Sequence, residues 1–124
     1  MGNNYSIIIP ARNEARTLGA LLRELAGHYP EAEIIVVNDG SDDDTVKIAA
    51  NAGARVISSP YSMGNGAAIK AGARAATGDI FIFMDADGQH LTGQIDKLLQ
   101  AMAEGYDMVV GARDIKSHAS RARF

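Results

Sequence analysis

Cysteine is absent from the 124-residue sequence, which excludes disulfides, thiolate nucleophiles and cysteine-ligated zinc while leaving the redox compartment open. Long apolar runs are missing too: none approaches the ~20 residues needed to cross a bilayer. The amino terminus, Met1 to Ser6, has no basic region ahead of an apolar core and does not read as a secretion signal. Nor does charge of one sign dominate. A formal net charge of −3 suggests neither nucleic-acid phosphate nor an anionic membrane as partner. Basic residues gather locally in the tail, where Arg113, Lys116, Arg121 and Arg123 stand against one acid. No repeat, low-complexity tract or linker interrupts the chain. Its length suits a single soluble domain over residues 1–124, with a real core but little room for two substrates.

What is present is an alternation of short apolar runs and amphipathic stretches. Tyr5 to Ile9 reads as a first strand ended by Pro10, which cannot donate to a central ladder. Leu18, Leu21, Leu22 and Leu25 form one stripe on a helix from about residue 14 to 28, closed by Pro30. Glu33 to Asn38 is a second strand, after which Ser41 or Asp42 is placed to cap a helix over 43–52 that stops at Gly53. Arg55 to Ser58 makes a weaker third strand. Ser59 to Gly66 is loop chemistry, and the alanine-rich stretch 67–76 is a helix able to pack closely on a sheet. Ile80 to Met84 reads as a strand buried on both faces, the organising one of the sheet. A helix over 93–103 and a fifth strand, Met108 to Val110, running into Arg113 complete the series. Strands alternating with helices give an α/β fold, a three-layer α/β/α arrangement around a mainly parallel, doubly wound, Rossmann-like sheet.

Each strand runs into a polar cluster: Arg12-Asn13-Glu14, then Asp39 to Asp42, then Gly64-Asn65-Gly66, then Asp85 to Gln89, then Arg113. In parallel sheets ligands bind beyond the carboxyl ends of the strands. Any one cluster alone is ordinary turn chemistry, since Asp, Asn and Gly favour turns for local reasons. Asp85 and Asp87 are harder to explain that way. Two acids at the mouth of an apolar strand repel each other unless a cation lies between them, and carboxylate and amide oxygens suit a hard divalent ion, Mg or Mn. The glycine pair is no dinucleotide fingerprint, because Ile69 stands where a third glycine belongs and the loop follows the third strand. No GKS/T phosphate loop is present either. That loop can still offer backbone amides to an anion at a helix amino terminus. His90 fits a ligand, a base or a cap, and His28 complements a helix dipole.

Together, Ile7 to Glu14, Val36 to Asp43, Gly64 to Ala68 and Met84 to His90 resemble family 2 glycosyltransferases of the GT-A fold, closest to the dolichol-phosphate mannose synthase and polyprenyl-phosphate glycosyltransferase branch. The resemblance implies a nucleotide-diphosphate-sugar donor, GDP- or UDP-linked, and a divalent cation, Mg or Mn. It assigns Pro10, Ala11, Arg12, Asn13 and Glu14 to the nucleotide pocket, Asp39 to an edge of the base, and Gly64, Asn65 and Gly66 to its surroundings. It places Asp85 and Ala86 near ribose or sugar, Asp87 with Gln89 on the metal, and Arg113 facing phosphates or acceptor. The resemblance makes Asp85 and Asp87 the catalytic pair. Asn65 replaces the Lys or Arg that relatives often carry between those glycines. The chain stops at Phe124 where relatives continue, so it reads as a truncated donor-binding part. A nucleotide-sugar-binding module without turnover is the alternative, and an exposed sheet edge favours a homo-oligomer. The branch implies a polyprenyl phosphate acceptor and a cytoplasmic location, membrane-associated in the full-length protein. A sugar-1-phosphate nucleotidyltransferase would need a glycine- and lysine-rich loop after the first strand, which Pro10 to Glu14 is not.

Overall fold

Alternating apolar side chains on two adjacent strands supply two cores, one on each face of a sheet. In the computed structural model, which describes residues 5–59, 62–84, 86, 96, 97, 100, 108–110 and 120–122, these strands are β1 (Tyr5–Ala11) and β2 (Glu33–Asp39). Ile7, Ile9 and Val36 face one way, and Ile8, Ile35 and Val37 the other, as a period of two requires. The first face is covered by α1 (Ala15–His28), whose Leu18, Leu21, Leu22 and Leu25 are buried, and by α2 (Thr45–Asn51) through Ala49. Against the second packs α3 (Asn65–Ala75), with Ala68 buried and Ala71 and Ala75 partly so. The expected three layers are there.

Four parallel strands lie in the order β3-β2-β1-β4, with β3 spanning Arg55–Ser59 and β4 Ile80–Phe83. From β1 the chain winds outward through β2 to β3 with its helices on one face. It then returns across β2 and β1 to β4 by way of α3 on the other face. Reversal of winding direction puts a topological switch point between the carboxyl ends of β1 and β4, where open α/β sheets bind ligands.

Four expectations need correcting. Pro10 does not end β1, which continues to Ala11 with Pro10 opposite Val37. Ile8 accepts from the main-chain N of Met84 at 3.1 Å, so the polar groups of Ile8, and two residues on those of Pro10, face the β4 side. Pairing with β4 ends at Phe83 opposite Ile8, and the donor that proline lacks is not needed there. Second, β4 flanks the described sheet rather than organising it, and Phe81 is 38% exposed; the middle positions belong to β1 and β2. Third, β5 (Met108–Val110) does not join the parallel sheet but pairs antiparallel with an unforeseen β6 (Ser120–Ala122). Fourth, neither Ser41 nor Asp42 caps α2, whose N-cap position is Asp44. The helix expected over 93–103 lies outside the described residues except for Asp96, Lys97 and Gln100, which are helical.

The amino-terminal edge of the sheet is tied by polar contacts. Ser6 Oγ donates to Glu33 Oε1 at 2.7 Å, the main-chain N of Thr77 donates to the same oxygen at 2.8 Å, and Gly78 N donates to Ser6 Oγ at 3.0 Å. Arg55 lies 3.6 Å from Glu33 Oε2 and donates to Ala75 O at 2.7 Å. Nearby, Tyr29 donates to Asp96 at 2.7 Å, and burial together with that bond pushes the Tyr29 hydroxyl pKa up. Burial opposes the charge on Glu33, but the Thr77 and Ser6 bonds and Arg55 outweigh it and hold its pKa below the ordinary value. A depressed folded pKa stabilises fully above the unfolded value, about 4.3 for Glu, and the contribution is lost as pH falls through the folded value. Urea midpoints of the wild type should therefore exceed those of Glu33→Gln at pH 7 and converge with them in acid. A gap that stays constant down to about pH 3 would remove Glu33 from this role.

Candidate functional site

Parallel register brings the strand ends to one edge. Ala11 pairs with Asn38 and Asp39 with Ser59, while Met84 follows the last residue of β4. The expected clusters after β1, β2 and β3 are thereby brought together, and Ala86 adds the fourth strand's side.

Asp39 is the best-defined group in the site. It is 7% exposed, and its carboxylate accepts from the main-chain N of Met63 at 2.7 Å, Ser62 Oγ at 3.0 Å and Gly64 N at 3.1 Å. The Met63 bond above all, aided by Ser62, Gly64 and the charge of Arg12, holds its carboxyl below the usual carboxylate range despite burial. Asp39 is thus a fixed anion that gathers the loop feeding α3. Gly64 has φ +96°, a conformation an L side chain rarely adopts, which explains a glycine between that loop and the helix. Helix α3 begins at Asn65, so Gly66 lies in its first turn rather than in the loop.

Asn13 acts as a brace. Its main-chain N donates to Ser41 Oγ at 2.9 Å, and its Oδ1 accepts from Asp42 N at 2.7 Å. The backbone at Asn13 is left-handed, φ +54°, which asparagine tolerates better than most residues. One residue on, Glu14 N donates to Thr45 Oγ1 at 3.0 Å, and Ala15 N donates to Asp43 Oδ2 at 3.2 Å. Asp43 also accepts from Thr45 through both N–H and hydroxyl, the hydroxyl contribution first among the causes that lower its pKa. The acid run after β2 therefore serves both helices: Asp43 and Thr45 occupy the open amides at the start of α1, and Asp43 steadies the start of α2. Asn38 supports the turn, accepting from Ser41 N at 3.0 Å and donating to Ser58 Oγ at 3.3 Å.

The β1 exit has Pro10 half-buried, Ala11 buried, Arg12 exposed and Glu14 half-buried. Ala86 is 3% exposed, and its carbonyl accepts from Thr17 Oγ1 at 2.9 Å. Asp85, Asp87, Gln89 and Arg113 lie outside the described residues. Among the described residues no three acids or histidines converge as a metal site, and no helix is long and apolar enough to cross a membrane. Sequence reasoning missed Thr17, Asp43, Thr45 and Ser62 as site-building residues. Each looks like an ordinary polar position, and its role depends on a partner distant in sequence.

Glycosyl transferase family 2 is matched over residues 6–123. An uncharacterized glycosyltransferase of Mycobacterium tuberculosis is 37% identical over 112 residues, covering 90% of this chain and 50% of that protein. The dolichol-phosphate mannosyltransferase of Pyrococcus furiosus is 34% identical over 117 residues, covering 90% of this chain and 33% of its own length. Among solved structures, glucosyl-3-phosphoglycerate synthase of M. tuberculosis in complex with Mn2+, UDP and glucosyl-3-phosphoglycerate superposes with a TM-score of 0.62 at 33% identity, over 68% of this chain and 34% of that one. The chain therefore spans half or less of the length of these relatives. By its match over nearly all its residues and its α/β layering, the chain belongs to glycosyl transferase family 2.

Proposed function

We propose that the chain binds the nucleotide-diphosphate sugar of an inverting, divalent-cation-dependent glycosyltransferase whose acceptor is a polyprenyl phosphate. The observation that carries this reading is the convergence of polar strand ends along one edge of the sheet, with Asp39 at the end of β2 held by Ser62, Met63 and Gly64. Support for the donor and cation comes from the related synthase bound to UDP and Mn2+, and for the acceptor from the dolichol-phosphate mannosyltransferase relative.

On this reading Pro10, Ala11, Arg12 and Glu14 line the nucleotide pocket, and Asp39 accepts a hydrogen bond from an edge of the base. Loop amides around Gly64 to Gly66 lie beside it, and Asp85 faces ribose or sugar. The carboxylate of Asp87 and the amide oxygen of Gln89 are hard donors suited to Mg or Mn, and Arg113 adds positive charge towards the phosphates. When bound, the cation supplies charge neutralisation for the departing diphosphate. An acceptor phosphate oxygen attacks the anomeric carbon as the bond to the diphosphate breaks, releasing the nucleoside diphosphate. That oxygen is already anionic, so the chain needs no strong general base.

Calorimetry with UDP, GDP, UDP-glucose and GDP-mannose, each with and without Mn2+, tests this. Cation-dependent affinity is expected for one base, and Asp87→Ala should reduce it to the cation-free level. Unaltered affinity in Asp87→Ala would remove the metal assignment. Binding without nucleotide release on adding a polyprenyl phosphate would restrict the chain to donor binding.

A further inference from the structure

Asp39 has fewer acceptor positions left than a bare carboxylate offers. Ionised, it accepts only, with two lone-pair positions on each oxygen. Its Oδ2 takes both Ser62 Oγ at 3.0 Å and Gly64 N at 3.1 Å, while Oδ1 takes the main-chain N of Met63 at 2.7 Å. Both positions on Oδ2 are therefore filled, and one remains on Oδ1. A ligand edge that meets Asp39 can place one N–H on it, not two side by side. The two donors on Oδ2 differ in how they are held. Gly64 N belongs to the turn into α3, with its backbone at φ +96°, whereas Ser62 is an exposed loop residue that reaches Oδ2 through its hydroxyl.

Base edges differ in what they ask of such a group. Guanine presents two adjacent donors, the ring N1–H and the amino group at C2, which match the two oxygens of a free carboxylate. Uracil presents one, the imide N3–H, between two carbonyls. Cytosine and adenine each set a ring-nitrogen lone pair beside their amino group, and an anion repels it. Arg12, close enough for its charge to act on Asp39, carries donors alone and suits a carbonyl flank rather than an amino group.

We propose that Ser62 is a specificity-determining residue: by filling Oδ2 together with Gly64 it leaves Asp39 a single acceptor, and so selects a uracil edge, and with it a uridine-diphosphate sugar, over guanine. This rests on the reading above that Asp39 meets the base. Guanine in the same place either leaves its amino group without an acceptor or displaces Ser62. Either loss amounts to about one hydrogen bond, roughly tenfold in affinity.

The test is calorimetry of the 124-residue chain with UDP, GDP and CDP, each with and without Mn2+, so that the comparison of bases holds whatever the cation contributes. The wild type should bind UDP about tenfold or more tightly than GDP or CDP. Ser62→Ala frees a position on Oδ2 and should bring the UDP-to-GDP ratio down towards one by strengthening GDP binding. Ser62→Thr keeps the hydroxyl and should preserve the ratio. GDP binding as tightly as UDP in the wild type overturns the proposal. So does an unchanged ratio in Ser62→Ala, including a parallel fall for both nucleotides, which marks a merely structural role. A ratio lost in Ser62→Thr also overturns it, and that variant with the wild type decides the matter if Ala fails to fold. A wild type that binds none of the three overturns the nucleotide reading and this proposal together, an outcome distinct from UDP and GDP binding equally.

Discussion

Asp39→Ala should weaken nucleotide binding by about ten- to a hundredfold and lower folding stability by about 2 kcal/mol. Both effects follow from one carboxylate that holds the loop and, on the proposed reading, also meets an edge of the base. It accepts from Ser62, Met63 and Gly64, and hydrogen bonds to a charged group are each worth about 1.5–3 kcal/mol. The sum is not lost, because Ser62, Met63 and Gly64 are exposed and water replaces the acceptor once the loop loosens. For the nucleotide, a base-edge N–H donating to this anion loses one charged partner, which at about 1.4 kcal/mol per decade is one to two orders of magnitude. Asp39→Asn is no remedy. Its amide nitrogen would face protein N–H groups that now donate to a carboxylate oxygen, replacing attraction with repulsion. Isothermal titration with UDP and GDP, paired with urea unfolding, separates the tasks. A variant that loses stability but binds normally reduces Asp39 to a clamp for the loop and removes the base contact.

The same residue shows what sequence could and could not reveal. That an acid follows the second strand is legible, because Ile34 to Val37 can hardly be anything but a buried strand and the chain must turn after it. That its carboxylate holds residues 62–64 is not, since the partners are more than twenty positions away and look like generic loop. The Leu stripe fixed α1 to within one residue because four leucines at helical spacing leave little choice. Capping was misplaced because local preference selects Ser41 or Asp42, whereas the Ser41 hydroxyl accepts from Asn13 N and the Asp42 main-chain N donates to Asn13 Oδ1, and it is Asp43 that serves α1 and α2. Pro10 misled for a similar reason. Its rule concerns a donor that a ladder needs, and whether it is needed depends on where the neighbouring strand ends, which is a tertiary fact. Composition marked Ile80 to Met84 as central, yet strand order depends on the crossovers rather than on apolarity. Asp85, Asp87, Gln89 and Arg113, the residues that sequence singled out most readily, lie outside the described residues.

Gly72→Ala should destabilise the chain by about 1–3 kcal/mol although alanine is the better helix former by roughly 1 kcal/mol. A Cβ at Gly72 would lie well inside van der Waals contact with Ile8 Cγ2 and 3.1 Å from Val37 Cγ2. Neither can yield cheaply: Ile8 and Val37 are fully buried, β-branched and on the two middle strands, so their rotamers are stiff. Helix α3 must therefore lift from the sheet. At Gly66, in the same helix, an added Cβ would meet nothing within 4 Å, so Gly66→Ala should be neutral or stabilising by up to about 1 kcal/mol. Opposite signs for two glycine-to-alanine changes on one helix separate close packing from propensity. A double-mutant cycle with Ile8→Ala sharpens the test, since removing the methyl that blocks the new Cβ should recover part of the Gly72→Ala loss as a favourable coupling. Lifting α3 also pulls on the loop that Asp39 gathers just ahead of it. Gly72→Ala should accordingly weaken nucleotide binding without touching any residue of the pocket, and the Ile8→Ala background should restore part of that affinity. Additive stabilities in the cycle would show that α3 does not rest on Ile8 at this point, and would break the link from helix packing to the site.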